Sequence, residues 1–422
     1  MRQKMTLMVI LTLILRLPSN ASDLVEVLPL TDQILMLHFD DGYIERFGYN
    51  EPRDNNISHI FPLNVEAAQN PNAYWITSTT DNDFSEGINP IEVGRKSKGT
   101  DFSRECLWDG SACQNDYAQE HWLYLHLPSK MKSGKTYTIN LKGLADNYES
   151  WQFVFNEVDH RSEAIHVNQI GYIPDAKKYG YISHWMGDLG GLDLSDYEGA
   201  RFDIIDTTEV SVYNGTIAFR AAADNKDTEQ QNETPDQNFA AAEVYEADFS
   251  GLTTPGLYKL VVEGIGSSYY FEIKGDIYRE VFYYAARGVH YHRAGHDHST
   301  ANEIWNWPED HKPGVSPGFE RLWYTDYRFM DSPGENPPKE DVYALIDTSF
   351  DINSAWGWYH DAGDWDGYPS HFQVPVNLLT LFELKPEAFS DGELNIAESG
   401  NGLPDLFDEG LWLLHYLRRA KG

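Results

Sequence analysis

Only two cysteines, Cys106 and Cys113, occur in 422 residues, which excludes a disulfide-stapled scaffold. They are separated by six residues around Trp108-Asp109-Gly110, and an oxidising compartment leaves both the bonded and the reduced pair open. Two thiolates without further ligands nearby do not make a structural zinc site, so no metal is assigned to them. Positive charge is also scarce. Against 66 Asp plus Glu stand only 32 Lys plus Arg, a formal charge of -34. Such a surface repels phosphate backbones and anionic bilayers, which excludes nucleic acid and membrane surfaces as partners while accepting a neutral polysaccharide. Long apolar runs are nearly missing. The longest, residues 5–15, falls short of the roughly 20 residues that span a bilayer, and Arg16 interrupts it. Preceded by Arg2 and Lys4 and followed by Ser19-Asn20-Ala21, it reads as a signal peptide over residues 1–21, and the product is expected to be secreted or periplasmic. Oligomeric state leaves no mark that the sequence discloses.

Aromatic residues, by contrast, are abundant: 14% of the chain, with 12 Trp and 26 Tyr. Residues 22–161 favour short strands, at 34–39, 122–127, 135–141 and 151–155, punctuated by Gly, Asn and Asp; the pattern predicts a β-sandwich. Residues 162–275 repeat it, with strands expected at 179–183, 201–205, 210–219 and 257–262. A polar stretch within this block, residues 221–242, reads as a solvated loop. After Gly275 the period changes. Residues 278–291 predict a helix, with Ile277, Val281, Tyr284 and Ala285 at helical spacing. Residues 302–350 read as a long loop. Residues 403–417 predict a second helix with an apolar stripe of Leu403, Leu406, Phe407, Leu411, Leu414 and Leu417, acids in its first turns and Arg418 and Arg419 at its end.

The chemistry concentrates in Trp356-Gly-Trp-Tyr-His-Asp-Ala-Gly-Asp-Trp-Asp-Gly-Tyr368. On a helical turn Asp361 and Asp364 share one face and can address one water. Inverting hydrolysis of a glycoside needs an ionised carboxylate that takes a proton from the attacking water, opposite a carboxylic acid at the leaving oxygen. Trp356, Trp358, Tyr359, Trp365 and Tyr368 offer flat apolar faces for sugar stacking, and His360 and His371 offer donors to hydroxyls. Taken alone, an Asp-x-x-Asp pair equally decorates a solvated surface, and such rings equally pack a core.

The context favours the chemistry. Trp358-Tyr-His-Asp-Ala-Gly-Asp-Trp-Asp366 resembles the signature of glycoside hydrolase family 9. Glu398-Ser-Gly-Asn-Gly-Leu-Pro-Asp-Leu-Phe-Asp-Glu409 resembles the segment that follows it there. Upstream, Ile165-His-Val-Asn-Gln-Ile-Gly-Tyr-Ile-Pro-Asp175 is similar to the opening of the immunoglobulin-like domain that precedes many family 9 catalytic barrels. The resemblance covers roughly residues 163–422. It implies two all-β immunoglobulin-like sandwiches, residues 22–161 and 162–275, followed by the N-terminal part of an all-α (α/α)6 barrel at 276–422. It implies Asp364 as general base and Asp361 as its partner on the water, with a β-1,4-glucan such as cellulose or mixed-linkage glucan as substrate. No organic cofactor is implied, and structural calcium remains compatible. The family's general acid is a glutamate far downstream, and the sequence ends at Gly422 before any such region, so a C-terminally truncated barrel is expected. An exo-acting glycosidase of the same family, such as a β-glucosidase or glucosaminidase, and a noncatalytic carbohydrate-binding protein remain the alternatives.

Two further motifs carry less. His290-Tyr-His-Arg-Ala-Gly-His-Asp-His298 places His292 and His296 at a chelating i, i+4 spacing, but it lacks the glutamate of a zinc-protease helix and Gly295 interrupts it, so metal is assigned to none of these residues. Aligning Gly367 with the glycine of a calcium loop puts Ala362 first and Gln373 twelfth, which fails as an EF-hand.

Overall fold

The computed structural model describes residues 21–45, 57–106, 113–226, 238–299, 305–316, 322–325, 346–352, 356–360 and 369–420. Residues 1–20 of the expected signal peptide and residues 227–237 of the polar stretch at 221–242 lie outside them. The chain divides into two compact units, Met1–Ile277 and Tyr278–Gly422.

In the first unit, β1 (Asp23–Pro29), β2 (Ile34–Asp40), β7 (Cys113–His126) and β6 (Glu92–Cys106) form an antiparallel sheet in the order β1-β2-β7-β6. A short ribbon of β3 (Gly42–Glu45) and β4 (Ile57–Ile60) follows β2, and the helical turn α1 (Val65–Ala68) is capped by the Asn64 side chain. A second sheet joins β5 (Trp75–Thr77), β8 (Lys135–Asn140) and β9 (Ser150–Phe155). The period of two in β2 and β7 sets the core. Leu35 pairs with Leu125 and Leu37 with Leu123, and these residues pack with Tyr137, Ile139, Phe153 and Phe155 of the second sheet. Backbone register places Cys106 opposite Cys113 at the end of the β6–β7 hairpin.

Residues 162–275 supply two more sheets. One is ordered β10 (Ile165–His166), β11 (Tyr179–Ile182), β15 (Val244–Asp248), β14 (Ala218–Ala221). The other is ordered β13 (Ser211–Thr216), β12 (Arg201–Asp206), β16 (Gly256–Val262), β17 (Gly266–Ser267), with β18 (Phe271–Ile273) also on β16. The single strand expected at 210–219 is two, because the chain passes from one sheet to the other at buried Ile217.

The expected two sandwiches are one compact unit, and the reason lies in the other face of β2 and β7. Ile34, Met36 and Tyr124 point away from the first core and join Ile165, Ile182, Phe202, Leu260 and Phe271 in the second. Polar links reinforce this shared sheet. Tyr197 donates through its hydroxyl to Asp32 Oδ1 at 2.6 Å, Ser162 Oγ donates to the Leu30 carbonyl at 2.6 Å, and Asp188 Oδ1 accepts the Arg95 amide at 2.5 Å. Beside Asp188, Gly187 has φ +69, and a Cβ there would sit 2.0 Å from the Arg95 carbonyl oxygen. Gly187→Ala therefore meets both a left-handed backbone and a backbone clash. It is expected to cost at least about 2 kcal/mol, measured by denaturant unfolding of this unit.

The second unit contributes, among its described residues, α2 (Arg279–Tyr291), α3 (Gln373–Leu384) and α4 (Asp405–Ala420). Within the stretch expected as a long loop, β19 (Leu322–Thr325) pairs antiparallel with β20 (Ile346–Ile352). Both helices expected from periodicity form, but their expected apolar stripes are not the faces they bury: that of α2 is largely exposed, and in that of α4 only Leu406 is fully buried. Helix α2 buries Ala286, Arg287, His290 and Tyr291 while Val281 and Tyr284 are exposed. Helix α4 buries Asp405, Leu406, Asp408, Glu409, Gly410 and Leu413, leaving Leu403, Leu414 and Leu417 exposed. Charge decides the rotation of α4. Asp405 accepts the amides of Gly392 and Leu394 at 2.8 Å and the Ser399 hydroxyl at 2.7 Å, and Glu409 faces a buried arginine. Gly410 lets α3 approach, since a Cβ there would lie 2.8 Å from Leu379 Cδ2.

Candidate active site and metal-ligand clusters

The candidate site is built outward from Arg293, two residues beyond the end of α2 and fully buried. A buried guanidinium persists only when its donors meet carboxylates. Its Nη1 donates to Glu398 Oε1 at 2.8 Å, and its Nε donates to Glu409 Oε2 at 3.1 Å. Its Nη2 makes an ion pair with Glu409 Oε2 at 2.9 Å, and its plane lies over the Trp412 ring at 4.5 Å. Glu409 also approaches His290 Nδ1 at 3.4 Å and accepts the Tyr359 hydroxyl at 3.2 Å. Burial alone would raise the Glu409 carboxyl; Arg293 and His290 overcome it and hold the group down at about 2. Burial, then the Glu409 charge, pushes the Tyr359 phenol up, which keeps it a neutral donor.

This network clamps the segment that leads into the aspartate motif. Tyr359 bridges Arg293 in antiparallel fashion, the Ala294 amide donates to the Trp358 carbonyl at 2.9 Å, and the His360 amide donates to the His292 carbonyl at 2.7 Å. From α4, Trp412 Nε1 donates to the Trp358 carbonyl at 3.0 Å and Arg419 Nη2 to the Trp356 carbonyl at 2.6 Å. Residues 356–360 are thus fixed by backbone and side chain on two sides. Asp361, Asp364, Trp365 and Tyr368 lie outside the described residues.

Burial revises the expected sugar-stacking set. Trp358 is 7% exposed and Tyr359 2%. Trp358 donates through Nε1 to His371 Nδ1 at 3.0 Å and meets Phe372 and Tyr416 edge to face. These two rings are core members that hold the clamp, with no face left for a sugar. Trp356 keeps partial exposure, but Lys312 and Arg419 lie over its ring at 4.5 and 4.2 Å. His360, expected as a hydroxyl donor, points Nε2 at Asp310 Oδ2, 3.1 Å away.

Among the described residues, two groups have metal-ligand geometry. His290, His296 and His298 place one ligand nitrogen each within 4.8 Å of the others, and Asp310, His311 and His360 do the same with a carboxylate oxygen. The i, i+4 pair suggested by spacing, His292 with His296, is not the pair the fold gathers. Arg293 and the inward face of Glu409 escaped the sequence reading, because periodicity counts apolar residues and cannot see a buried ion pair; the acid at a core-facing position of α4 was the only available sign.

Residues 160–267 match the family of cellulase N-terminal ig-like domains. Among curated proteins, the chain is 28% identical over 262 residues to endoglucanase C of Cellulomonas fimi, covering 60% of this chain and 20% of that one. It is 24% identical over 273 residues to a cellulose 1,4-beta-cellobiosidase of Acetivibrio thermocellus, covering 61% and 27%. It is 26% identical over 250 residues to a xyloglucan-specific endo-beta-1,4-glucanase of Bacteroides ovatus, covering 59% and 35%. The chain therefore spans between a fifth and about a third of the length of these relatives. Among solved structures, a metagenome-derived glycoside hydrolase family 9 endoglucanase overlays with 30% identity and a TM-score of 0.43, covering 60% of this chain and 40% of that one.

Proposed function

From a chain that is related to glycoside hydrolase family 9 and carries a cellulase N-terminal ig-like domain at residues 160–267, we infer a secreted inverting hydrolase of β-1,4-linked glucan. Asp364 is the general base in this reading and Asp361 its partner on the attacking water. The reading rests most on one observation: the clamped segment 356–360 runs directly into Asp361-Ala-Gly-Asp364, so two acids follow an anchor that positional precision in catalysis requires. Residues 276–422 are then the opening of an (α/α)6 barrel. No residue of this chain is assigned the general acid, and no organic cofactor enters. Trp365 and Tyr368 remain the stacking candidates, with Trp356 at the edge of the set.

The chemistry follows from the carboxylates. An ionised Asp364 takes a proton from a water as that water attacks the anomeric carbon, the glycosidic bond breaks on the opposite face as its oxygen takes a proton from a carboxylic acid not assigned to this chain, and a β-linked glucan releases an α-configured product. The test is reducing-sugar release from soluble β-1,4-glucan and from mixed-linkage glucan, by this chain and by any longer product its reading frame encodes, with the first-formed anomer read by NMR. A β-anomer overturns inversion. Glycan binding without hydrolysis by either product moves the assignment to a noncatalytic binding protein.

A further inference from the structure

We propose that His290, His296 and His298 form a three-imidazole site for a divalent transition-metal ion of the zinc class, separate from the two aspartates of the hydrolytic reading. His290 stands in the last turn of α2, while His296 and His298 come from the segment just beyond, so the chain must turn back on itself to bring them together. Their ring centroids lie 4.9 Å apart for His290 and His296, 5.2 Å for His290 and His298, and 4.6 Å for His296 and His298. The planes cross at 68, 78 and 75 degrees. Steeply crossed rings at these distances leave room between them that parallel stacking would close. The three ligand nitrogens already lie within 4.8 Å of each other. Around a tetrahedral ion with nitrogens at about 2.0–2.1 Å, such atoms stand roughly 3.3 Å apart, a contraction that side-chain rotation supplies.

The surroundings match what an imidazole-held ion needs. His290 turns Nδ1 toward Glu409 Oε2, 3.4 Å away, and Arg293 fixes that carboxylate. A carboxylate beside a ligating imidazole is the arrangement that orients such a ring. Trp307 lies 4.3 Å from the His298 ring and Trp412 5.8 Å from the His296 ring, so apolar walls limit water around the nitrogens. Three nitrogen donors select Zn²⁺, Co²⁺, Ni²⁺ or Cu²⁺ over Ca²⁺ or Mg²⁺, which prefer oxygen. The fourth position belongs to water or to a ligand oxygen. An ion here ties the end of α2 to the segment carrying His296 and His298, and through Glu409 to α4.

The probes are Co²⁺ alone and Zn²⁺ alone, added to the chelator-stripped full chain. Co²⁺ should give the visible absorption of a tetrahedral nitrogen-ligated ion, and Zn²⁺ should displace it and raise the thermal midpoint. His296→Ala and His298→Ala should each weaken uptake at least about tenfold. The double variant of Asp310→Ala and His311→Ala, which dismantles the neighbouring ligand group, should retain the Co²⁺ spectrum. Should His298→Ala lose its far-ultraviolet circular dichroism, His296→Ala carries the comparison, because His296 is only half-buried. No Co²⁺ uptake by the wild-type chain, or uptake lost in the Asp310/His311 variant and kept in His296→Ala, overturns the proposal and leaves the three rings as aromatic packing.

Discussion

Glu409→Gln is expected to destabilise the unit Tyr278–Gly422 by about 3–5 kcal/mol at neutral pH, the usual cost of removing one member of a buried ion pair. The amide keeps the shape and can still accept the Tyr359 hydroxyl. What it loses is the charge facing Arg293, whose side chain is fully buried and whose other carboxylate, Glu398, is about a third exposed. Desolvation of the guanidinium then stands largely uncompensated. The pH dependence gives an independent signature. Glu409 has a depressed carboxyl, at about 2 against an ordinary 4.5, so the folded state favours its ionised form. Its contribution is fully present above about pH 4.5 and is lost as pH falls toward 2, on the order of 3 kcal/mol in all. The gap in unfolding free energy between wild type and Glu409→Gln should therefore narrow between pH 5 and pH 3. Denaturant titrations at several pH values measure it, and a gap that stays constant on acidification would contradict the assignment.

On the function proposed above, Asp364→Ala is expected to lower the rate of β-glucan hydrolysis by about 10²–10⁴-fold, the range for a lost general base. Because a general base acts only in the transition state, the loss should fall on kcat and kcat/KM together, with the affinity for unreacted glucan retained. An unchanged thermal midpoint separates this from unfolding. Hydrolysis that survives the substitution at the wild-type rate would remove Asp364 from the mechanism and leave the family relationship without its base.

The secondary structure was legible where one rule decided it. The strand at 135–141 follows from a period of two and the strand at 34–39 from a short apolar run, and the helix opening near Asp405 follows from Pro404 and the acids behind it. Which face a helix buries was not legible. On α4 the stripe through Leu414 and Leu417 is apolar yet exposed, because Glu409 must reach Arg293 and Asp405 must collect the amides of the preceding loop. Those partners lie far away in sequence, and a pattern confined to one helix carries no trace of them. The aspartate motif was readable from its residues, but the roles of its neighbours were not: Trp358 and Tyr359 carry ring chemistry suited to sugars and spend it on the core. The histidine group shows the same limit, since His290 and His298 are eight positions apart and only the fold brings them together.

The sheet of β1, β2, β7 and β6 serves two cores at once, and this bears on where the polypeptide can be cut. The family match begins at residue 160, which marks a border of shared ancestry. It is not a border of cooperative folding. Excision at that point would strip Ile34, Met36 and Tyr124 from their neighbours and leave Ile165, Ile182 and Phe202 facing water. Residues 22–277 should accordingly melt in a single calorimetric transition, and the immunoglobulin-like segment alone should aggregate. Whatever the N-terminal sandwich contributes to function, it also supplies one wall of the core behind it.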